Sequence, residues 1–336
     1  MNKNVIIFGV TGQAGSYLSE IFLKNDYSVY GVARRTSLPN EERLKECKKS
    51  SNFHLVEGDI TDSFSVTETI SKIRPVYIAN AAAQSHVATS FEQPAFTWNA
   101  TALGVLNILE AIRMVDKTIK MVQFSSSEMF GSEYSTREEN GTLIKYQNEN
   151  TPMIPQSPYA IAKLAGHHLI RNYRNSYSMN LASAIFFNME SPRRGEKFVT
   201  KKITKYVGQL VNFPYSTPKL KLGNIYARRD WGHCEDYMQC IYKMFTCGNN
   251  KDYVISTGES IEVLDFLKLA FDHIGRNWQD HVEIDSSLYR PSEVAFLHGD
   301  SSLVRSDLDW SPTRTIKDIV KEMVEHDVME QRKQRN

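Results

Sequence analysis

The first half of the chain alternates short apolar runs, rich in β-branched and aromatic residues, with longer stretches of helical periodicity. The strand-like runs are Val5–Phe8, Ser28–Val32, Phe53–Glu57, Val76–Ala79, Lys120–Phe124 and Leu181–Phe187. The helical stretches between them cover 14–25, 63–73, 94–115 and 158–177. This alternation predicts an α/β fold of βαβ units, in which helices cover both faces of a doubly wound parallel sheet.

The pattern changes after about residue 188. Helical stretches at 199–212, 235–247, 261–274 and 315–327 are separated by short strands such as Lys219–Leu222 and Tyr253–Ser256. We therefore expect a large domain over 1–188 and a smaller α/β lobe over 189–330, with some segments of the second half returning to the large domain. The polar stretch 131–155 is interpreted as a long surface loop, and 331–336 as a solvated tail.

Composition excludes several classes of protein. The 336 residues include 40 Lys and Arg and 39 Asp and Glu, a net charge of +1, which gives no general electrostatic reason to bind nucleic acid or an anionic membrane. No apolar run approaches a membrane-spanning length, and the N-terminal one is too short for a signal peptide. The four cysteines have no zinc-ligand spacing, so we expect reduced thiols, no metal and a cytoplasmic protein.

A glycine-rich turn follows the first strand and opens the first helix. It reads Gly9-Val10-Thr11-Gly12-Gln13-Ala14-Gly15, with spacing G-x-x-G-x-x-G. Glycines at such a turn let the backbone approach a pyrophosphate, which then faces the positive end of the helix. The turn therefore predicts a dinucleotide site.

The end of the second strand indicates which dinucleotide. An acidic residue there would bind an adenosine 2′-hydroxyl, but the chain has Arg34, Arg35, Thr36 and Ser37. These side chains suit a 2′-phosphate, which favours NADP over NAD, although a solvated arginine pair is the ordinary alternative. Asp59 is interpreted either as an adenine contact or as a helix N-cap.

Two polar clusters carry the predicted chemistry. Tyr159 and Lys163 are four residues apart on a predicted helix, which places both on one face. A cation beside the phenol would lower its pKa and make it a base near neutral pH. Ser125 to Glu128 add hydroxyls and a carboxylate at the end of an apolar run. Each cluster alone has an ordinary structural interpretation, but together on a dinucleotide-binding pattern they favour a redox enzyme with an extra acid/base group.

Several longer stretches resemble GDP-mannose 4,6-dehydratases, a branch of the extended short-chain dehydrogenase/reductase superfamily. They are TGQAGSYL (11–18), AQSHV (83–87), SSEMFG (126–131), SPYAIAK (157–163), NMESPRRG (188–195), FVTKKI (198–203), RDWGH (229–233) and YRPSEV (289–294). The resemblance runs in order through essentially the whole chain. It implies a Rossmann-type sheet with a C-terminal substrate lobe, and a homo-oligomer.

The resemblance also implies residue roles. Tyr159 would take the C4 hydroxyl proton, Lys163 would hold the nicotinamide ribose, Glu128 would remove the C5 proton and Ser126 would hydrogen-bond the C4 oxygen. The implied cofactor residues are Gly9, Thr11, Gly12, Gln13, Ala14, Gly15, Arg34, Arg35, Thr36, Ser37, Asp59, Ile60, Ala81, Ala82, Ala83, Gln84, Ser85, Phe96, Tyr159, Lys163, Met189 and Arg194. The implied substrate residues are Ser85, Ser126, Glu128, Asn188, Lys202, Arg229, Arg290 and Glu293. An intramolecular ion pair such as Arg290 with Glu293 is the ordinary alternative for the charged members.

Some positions depart from the family pattern. Ala14 replaces an Asp, Ser126 a Thr, Met189 a His, Phe96 a Tyr and Tyr226 an Asp. The predicted catalytic groups are retained, so we expect a GDP-hexose 4,6-dehydratase. The alternatives are a dehydratase for a related GDP-sugar such as a heptose, a sugar-nucleotide 4-reductase or epimerase, and a non-catalytic NADP sensor.

Overall fold

Seven parallel strands form the central sheet of the structure, a computed structural model that describes residues 3–37, 40–289 and 291–335. The described residues contain these seven strands and eight further strands that form two-stranded sheets. In chain order they are β1 (Asn4–Phe8), β2 (Ser28–Ala33), β3 (Phe53–Glu57), β4 (Tyr77–Asn80), β5 (Lys120–Ser126), β6 (Ser135–Glu139), β7 (Thr142–Tyr146), β8 (Leu181–Phe186), β9 (Asn188–Glu190), β10 (Leu220–Leu222), β11 (Arg228–Arg229), β12 (Trp231–His233), β13 (Tyr253–Ile255), β14 (Ile261–Glu262) and β15 (Val282–Ile284). The helices are α1 (Gln13–Lys24), α2 (Ser63–Ile73), α3 (Val87–Glu92), α4 (Pro94–Trp98), α5 (Gly104–Val115), α6 (Pro158–Tyr177), α7 (Val199–Asn212), α8 (Cys234–Thr246), α9 (Val263–Asp272), α10 (Ser302–Leu308) and α11 (Ile316–Arg335).

The strand order places a ligand-binding crevice in the middle of the sheet. The order is β13-β8-β5-β4-β1-β2-β3, so the chain moves outward in one direction from β1 and then resumes from β4 in the other. Neighbouring β1 and β4 mark the point at which the order reverses. In open α/β sheets, ligands bind outside the carboxyl ends of the strands at such a point. The predicted doubly wound parallel sheet is confirmed.

Alternate residues of β1 enter two separate cores, one on each face of the sheet. In β1, Val5 and Ile7 pack with residues of α1 and α8, whereas Ile6 and Phe8 pack on the opposite face with α2, α5 and α6. All four side chains are essentially inaccessible to solvent. A sheet covered on both faces needs continuous apolar strands, which is why the strand runs carry little alternation between apolar and polar residues.

A third core lies among the helices of the second half. It is built from α7, α9 and α11, with Ile203, Val207, Phe266, Phe271 and Met323 buried at its centre. The strand β13 lies between α7 and α9 in sequence, yet it pairs with β8 in the main sheet. The boundary that we place at residue 188 stays a prediction.

The stretch 131–155 is not the irregular loop that we expected. It contains an antiparallel hairpin, β6 and β7, joined at Asn140 and Gly141, whose φ angles are 49° and 76°. Asn-Gly adopts this left-handed pair readily and is the strongest short hairpin signal, so the sequence did contain the evidence. After the hairpin, the Glu149 carboxylate accepts a hydrogen bond from the Val254 backbone N–H at 2.7 Å and so covers the outer edge of β13.

Two other expectations need correction. The stretch 94–115 is divided into α4 and α5 by a π-helical turn, Asn99–Leu103, because its backbone shifts register there instead of continuing the 3.6-residue repeat. The C-terminal tail is helical to Arg335 as part of α11, the helix that packs in the third core, and Gln331 is buried, so residues that we expected to fray are ordered.

The remaining composition-based expectations concern cysteines, membranes and metals. Cys47, Cys234, Cys240 and Cys247 are all free thiols, and the first three are buried. No helix within the described ranges combines the length and apolarity needed to cross a bilayer. Among the same residues, no cluster of three His, Cys, Asp or Glu side chains suits a metal ion.

Candidate active site

A cleft of about 460 Å³ lies at the carboxyl end of the sheet and extends into the second half of the chain. Its volume falls in the range of sites for small molecules and cofactors. Eighteen of the residues implied by the sequence line it: Gly9, Gly12, Gln13, Ala14, Gly15, Ala81, Ala83, Ser85, Ser126, Glu128, Tyr159, Lys163, Asn188, Met189, Arg194, Lys202, Arg229 and Glu293. Residues scattered over most of the chain therefore meet at one place.

The glycine-rich turn forms one wall of this cleft. Gly9 has a φ of +79°, and a Cβ there would lie 2.7 Å from the Ala82 backbone nitrogen. A Cβ at Gly15 would lie 2.5 Å from the Gly9 carbonyl oxygen. Both positions therefore exclude a side chain, for reasons of backbone conformation and of close packing between helix and strand.

The beginning of α1 fits an anion. Its N-cap is Gly12, no side chain caps the helix, and no acidic residue occurs in the first turn. The first backbone N–H groups of a helix have no partner within it, and the helix dipole makes that end positive. These features suit the pyrophosphate of a dinucleotide.

Gln13 connects this turn to the stretch NMESPRRG. Its Nε2 donates to the Met189 carbonyl oxygen at 2.8 Å, and its Oε1 accepts from Ser191 Oγ at 2.9 Å. Thr11 makes a similar connection, because its carbonyl oxygen accepts a hydrogen bond from Arg43. Arg43 also donates to the Arg193 carbonyl oxygen, so the two segments hold each other in place.

The residues at the end of β2 lie outside the cleft lining. Arg34, Arg35, Thr36 and Ser37 are exposed. The Arg34 guanidinium lies 5.8 Å from the centre of the Phe96 ring, so two implied cofactor residues that are far apart in sequence contact each other. An exposed guanidinium beside an aromatic ring can hold the planar base or the phosphate of a nucleotide.

The other implied cofactor residues have structural contacts. Asp59 accepts hydrogen bonds from Thr61, and the alternative role that we gave it as a helix N-cap is wrong, since Asp62 caps α2. Ile60 is buried beneath Gly104. Gln84 bonds His86 and Thr97, and Ala82 packs against Gly9.

The predicted catalytic groups come from β5 and α6. Ser126 ends β5, and its Oγ accepts a hydrogen bond from the Glu128 backbone N–H at 3.3 Å. Helix α6 starts after Ser157, whose side chain caps it, and Pro158 takes the first helical position. That start places Tyr159 and Lys163 in the first turns of α6, facing the cleft as their spacing predicts, with both side chains buried.

Burial, and not the charge of Lys163, has the largest effect on the pKa of the Tyr159 phenol. Burial raises the pKa of Tyr159 to about 12, and Glu128 raises it further, whereas a hydrogen bond from Ser126 and the charge of Arg194 lower it. Our expectation of a lowered phenol pKa is therefore wrong. The Lys163 ammonium lies 5.9 Å from the centre of the Tyr159 ring and donates instead to the Phe124 carbonyl oxygen. Burial lowers the pKa of Lys163 itself to about 8.

The charged residues of the second half form the other wall. Arg229 is buried and makes an ion pair with Glu293, with 2.9 Å between Nη2 and Oε1. Glu293 thus pairs with a residue distant in sequence, while Arg290 lies outside the described residues. Lys202 is exposed at the cleft, and Asn188 donates its backbone N–H to the Asp230 carbonyl oxygen.

Sequence reasoning missed several cleft residues. His86 lines the cleft while its Nδ1 caps α3. Glu190, Phe198 and Thr200 also line it, and their neighbours in NMESPRRG and FVTKKI were the available signal. Lys221 and Asn224 are further lining residues, beside the short strand β10. The general rule that binding residues follow strand ends could have found them.

Known proteins resemble this chain over its whole length. The family model of GDP-mannose 4,6 dehydratase matches residues 6–323. The chain is 42% identical over 336 residues to GDP-mannose 4,6 dehydratase 1 of Arabidopsis thaliana, covering 97% of this chain and 90% of that protein. It is 39% identical over 357 residues to GDP-mannose 4,6 dehydratase of Drosophila melanogaster, covering 99% and 88%. It is 37% identical over 366 residues to GDP-mannose 4,6-dehydratase of Vibrio cholerae, covering 98% and 94%.

Solved structures share the fold at lower identity. DesIV, a dTDP-glucose 4,6-dehydratase from Streptomyces venezuelae, superposes with a TM-score of 0.85 at 20% identity, covering 98% of each chain. UDP-glucose 4-epimerase from Thermotoga maritima superposes with a TM-score of 0.83 at 22% identity, covering 99% of this chain and 100% of that one. At this level of identity, these likenesses show the fold alone.

Proposed function

The chain belongs to the GDP-mannose 4,6-dehydratase family, and we propose that it converts GDP-D-mannose to GDP-4-keto-6-deoxy-D-mannose with NADP as cofactor. It is a hydro-lyase, since its curated relatives in plants, insects and bacteria are all named as dehydratases of GDP-mannose. The observation that supports the residue assignment is the meeting of Ser126, Glu128, Tyr159 and Lys163 in one cleft with the glycine-rich turn.

Each group has a place in the proposed reaction. Tyr159 takes the proton of the C4 hydroxyl as C4 becomes a ketone, and Ser126 hydrogen-bonds the same oxygen. The ketone acidifies the C5 proton, which Glu128 removes and can return to the leaving C6 hydroxyl as water departs. The nicotinamide dinucleotide that the glycine-rich turn and Lys163 would hold would supply a hydride acceptor at C4 and a hydride donor at C6. C5 would gain a proton from water in the same step, so there is no net oxidation. A simple reductase or epimerase has no step that needs the carboxylate of Glu128.

The preference for NADP rests on the end of β2. Arg34 and Arg35 are exposed there, and the sequence from Arg34 to Asn40 contains no acidic residue that would repel a 2′-phosphate. Arg34 beside Phe96 offers a surface for the adenosine end of the cofactor. The pyrophosphate would lie at the start of α1, and Lys163 would hold the nicotinamide ribose.

We assign the nucleotide half of the substrate to the cleft wall that is formed by the second half of the chain, opposite the glycine-rich turn. Asn188, Lys202 and Arg229, with Glu293 at the edge, would bind the diphosphate and base. Arg229 is positioned for this by its ion pair with Glu293. Arg290 belongs to the same proposal from its place in sequence.

We also propose a homo-oligomer in the cytoplasm. Trp98, Leu103 and Ile161 are large apolar side chains exposed on neighbouring segments of the molecule, which favours a partner subunit. The free thiols agree with a reducing compartment. Light scattering on the purified protein tests the oligomer and separates dimer from tetramer.

The reaction is tested by incubating purified protein with NADP⁺ and GDP-mannose in D₂O, followed by mass spectrometry. We expect loss of one water, one deuterium fixed at C5 and no accumulation of NADPH. Net consumption of NADPH, or a retained 6-hydroxyl, would instead indicate a reductase or an epimerase. Absence of turnover with GDP-mannose, together with turnover of GDP-heptose, would reassign the sugar while leaving the reaction class intact.

A further inference from the structure

Glu190 is a buried carboxylate in the cleft to which the proposed reaction gives no role. It ends the short strand β9 and is 1% exposed. Its Oε2 accepts a hydrogen bond from Thr200 Oγ1 at 2.5 Å and lies 3.3 Å from Arg194 Nε. A carboxylate so far removed from water is retained only where another charge or hydrogen bonds compensate it.

Arg194 is held between two partners. Its guanidinium lies 3.5 Å from the centre of the Phe198 ring, and Glu190 lies at its Nε edge. The side chain is only 13% exposed, yet its Nε makes no well-aligned hydrogen bond, so Glu190 acts on it by charge and not by a directed bond. The guanidinium therefore brings a positive charge into the cleft. Among the described residues, Glu190 is the one carboxylate within ion-pair distance of it.

In the described part of the chain, few charged or titratable groups surround Tyr159 and Glu190. Those that act on Tyr159 are Glu128 and Arg194, with the Lys163 ammonium beside its ring but bonded elsewhere. Those that surround Glu190 are Arg194 and the side chains of Cys234 and Tyr237. Burial raises the pKa of Glu190, whereas the charge of Arg194 and the hydrogen bond from Thr200 lower it and favour the carboxylate. Burial raises the pKa of both Cys234 and Tyr237, so both stay neutral at physiological pH. Arg194 is thus the one described charge that acts on both Glu190 and Tyr159.

We propose that Glu190 is a positioning residue: its carboxylate holds the Arg194 guanidinium against Phe198 and balances the positive charge that Arg194 brings to the Tyr159 phenol. This proposal rests on the proposed function for the role of Tyr159, but the electrostatic connection does not depend on the sugar. The direction of the effect follows from charge. Without the carboxylate, the uncompensated guanidinium stabilises phenolate more strongly, and Tyr159 loses its proton at lower pH.

The main variant is Glu190→Gln, which keeps an acceptor for Thr200 and removes the charge. In turnover experiments, the acidic limb of the kcat against pH profile should move to lower pH by about 1 unit relative to the parent. Thr200→Val is the matched control, because it removes the hydrogen bond but keeps the carboxylate, and its profile should not move to lower pH. In an Arg194→Gln background, adding Glu190→Gln should produce no further shift.

A second measurement needs no turnover. Protein labelled with ¹³Cζ tyrosine reports the ionisation of each phenol, and Tyr159→Phe identifies the resonance of Tyr159. At pH 11 this resonance should lie downfield in Glu190→Gln relative to the parent and upfield in Arg194→Gln. If Glu190→Gln does not fold, Glu190→Met must move the resonance in the same direction.

The outcomes separate the two proposals. A parent enzyme that fails to turn over GDP-mannose counts against the proposed function, whereas the resonance still tests Glu190. If Glu190→Gln leaves both the profile and the resonance where they are in the parent, the carboxyl does not balance Arg194. An equal shift in Thr200→Val would mean that the shift arises from loss of packing, and would also overturn the proposal.

Discussion

The Lys163 ammonium donates a hydrogen bond to the Phe124 carbonyl oxygen, 2.6 Å away. Phe124 lies in β5 two residues before Ser126, and Lys163 lies one turn after Tyr159 in α6. The bond therefore fixes the helix that carries the phenol against the strand that carries the hydroxyl. It also gives a buried ammonium a hydrogen-bond partner, which limits the cost of burying a cation.

The first prediction concerns the charge of Lys163. Because burial lowers its pKa to about 8, the ammonium of the free enzyme loses its proton as the pH rises through that value. If the charged form binds the cofactor ribose, kcat/KM should fall above about pH 8. A profile between pH 6 and pH 10 measures this. Lys163→Met should lower kcat/KM by about 100-fold or more and remove that limb. A limb that persists in Lys163→Met would assign it to another group.

The second prediction separates the redox and elimination steps. Glu128→Gln removes the proposed base for the C5 proton but leaves Tyr159 and Ser126 in place. We expect water elimination to slow by about 10² to 10⁴-fold, while reduction of NADP⁺ by GDP-mannose is still observed by absorbance. Deuterium from D₂O should then enter C5 slowly or not at all. Normal exchange at C5 in this variant would exclude Glu128 as the base.

The third prediction concerns Ser126. Its hydrogen bond lowers the pKa of the Tyr159 phenol, so Ser126→Ala should raise that pKa further and move the acidic limb of kcat to higher pH. We expect kcat at pH 7 to fall by about 10-fold or more, because one charge-assisted hydrogen bond is worth about 1.5–3 kcal/mol. Ser126→Thr keeps the hydroxyl and should retain most of the activity. Equal losses in both variants would point to packing as the cause.

The fourth prediction concerns stability and the residue Asp230. This fully buried carboxylate accepts hydrogen bonds from the backbone N–H groups of Thr257, Gly258 and Gly299 and from the Thr257 hydroxyl. Burial raises its pKa to about 6. Asp230→Ala leaves these donors without an acceptor, so the free energy of unfolding should fall by about 3 kcal/mol. Denaturant unfolding measures the change.

Asp272→Ala is the control for that experiment. Asp272 is exposed at the end of α9, and its loss should change the free energy of unfolding by less than about 0.5 kcal/mol. If the two variants unfold alike, the hydrogen bonds of Asp230 contribute no net stability.

Local patterns predicted the elements of this fold better than its contacts. Helix α7 begins and ends where the periodicity of 199–212 predicts, since its apolar face recurs at helical spacing along a chain free of Pro and with one interior Gly. The hairpin of β6 and β7 was missed because polarity was weighed above the Asn-Gly signal. Two short segments, β9 and β12, pair across more than forty residues, and no local pattern predicts such a pairing.

In the site too, local sequence predicted the residues that share one helix but not the contacts between distant segments. Tyr159 and Lys163 follow from helical geometry, because four residues make about one turn. The ion pair of Arg229 with Glu293 and the bond of Gln13 to Ser191 join distant residues, so only the folded chain reveals them. The pKa of Tyr159 was predicted in the wrong direction because burial depends on all neighbours at once, whereas the sequence showed only one.

The hydrogen bond between Glu149 and Val254 affects the tendency of the protein to aggregate at high concentration. Strand β13 is the last in its sheet, and the outward N–H of an end strand can pair with a strand of another molecule. The carboxylate already occupies that donor and adds a charge beside it. The segment that follows the hairpin thus makes this side of the sheet a poor template for aggregation, and Glu149→Ala would remove part of that protection.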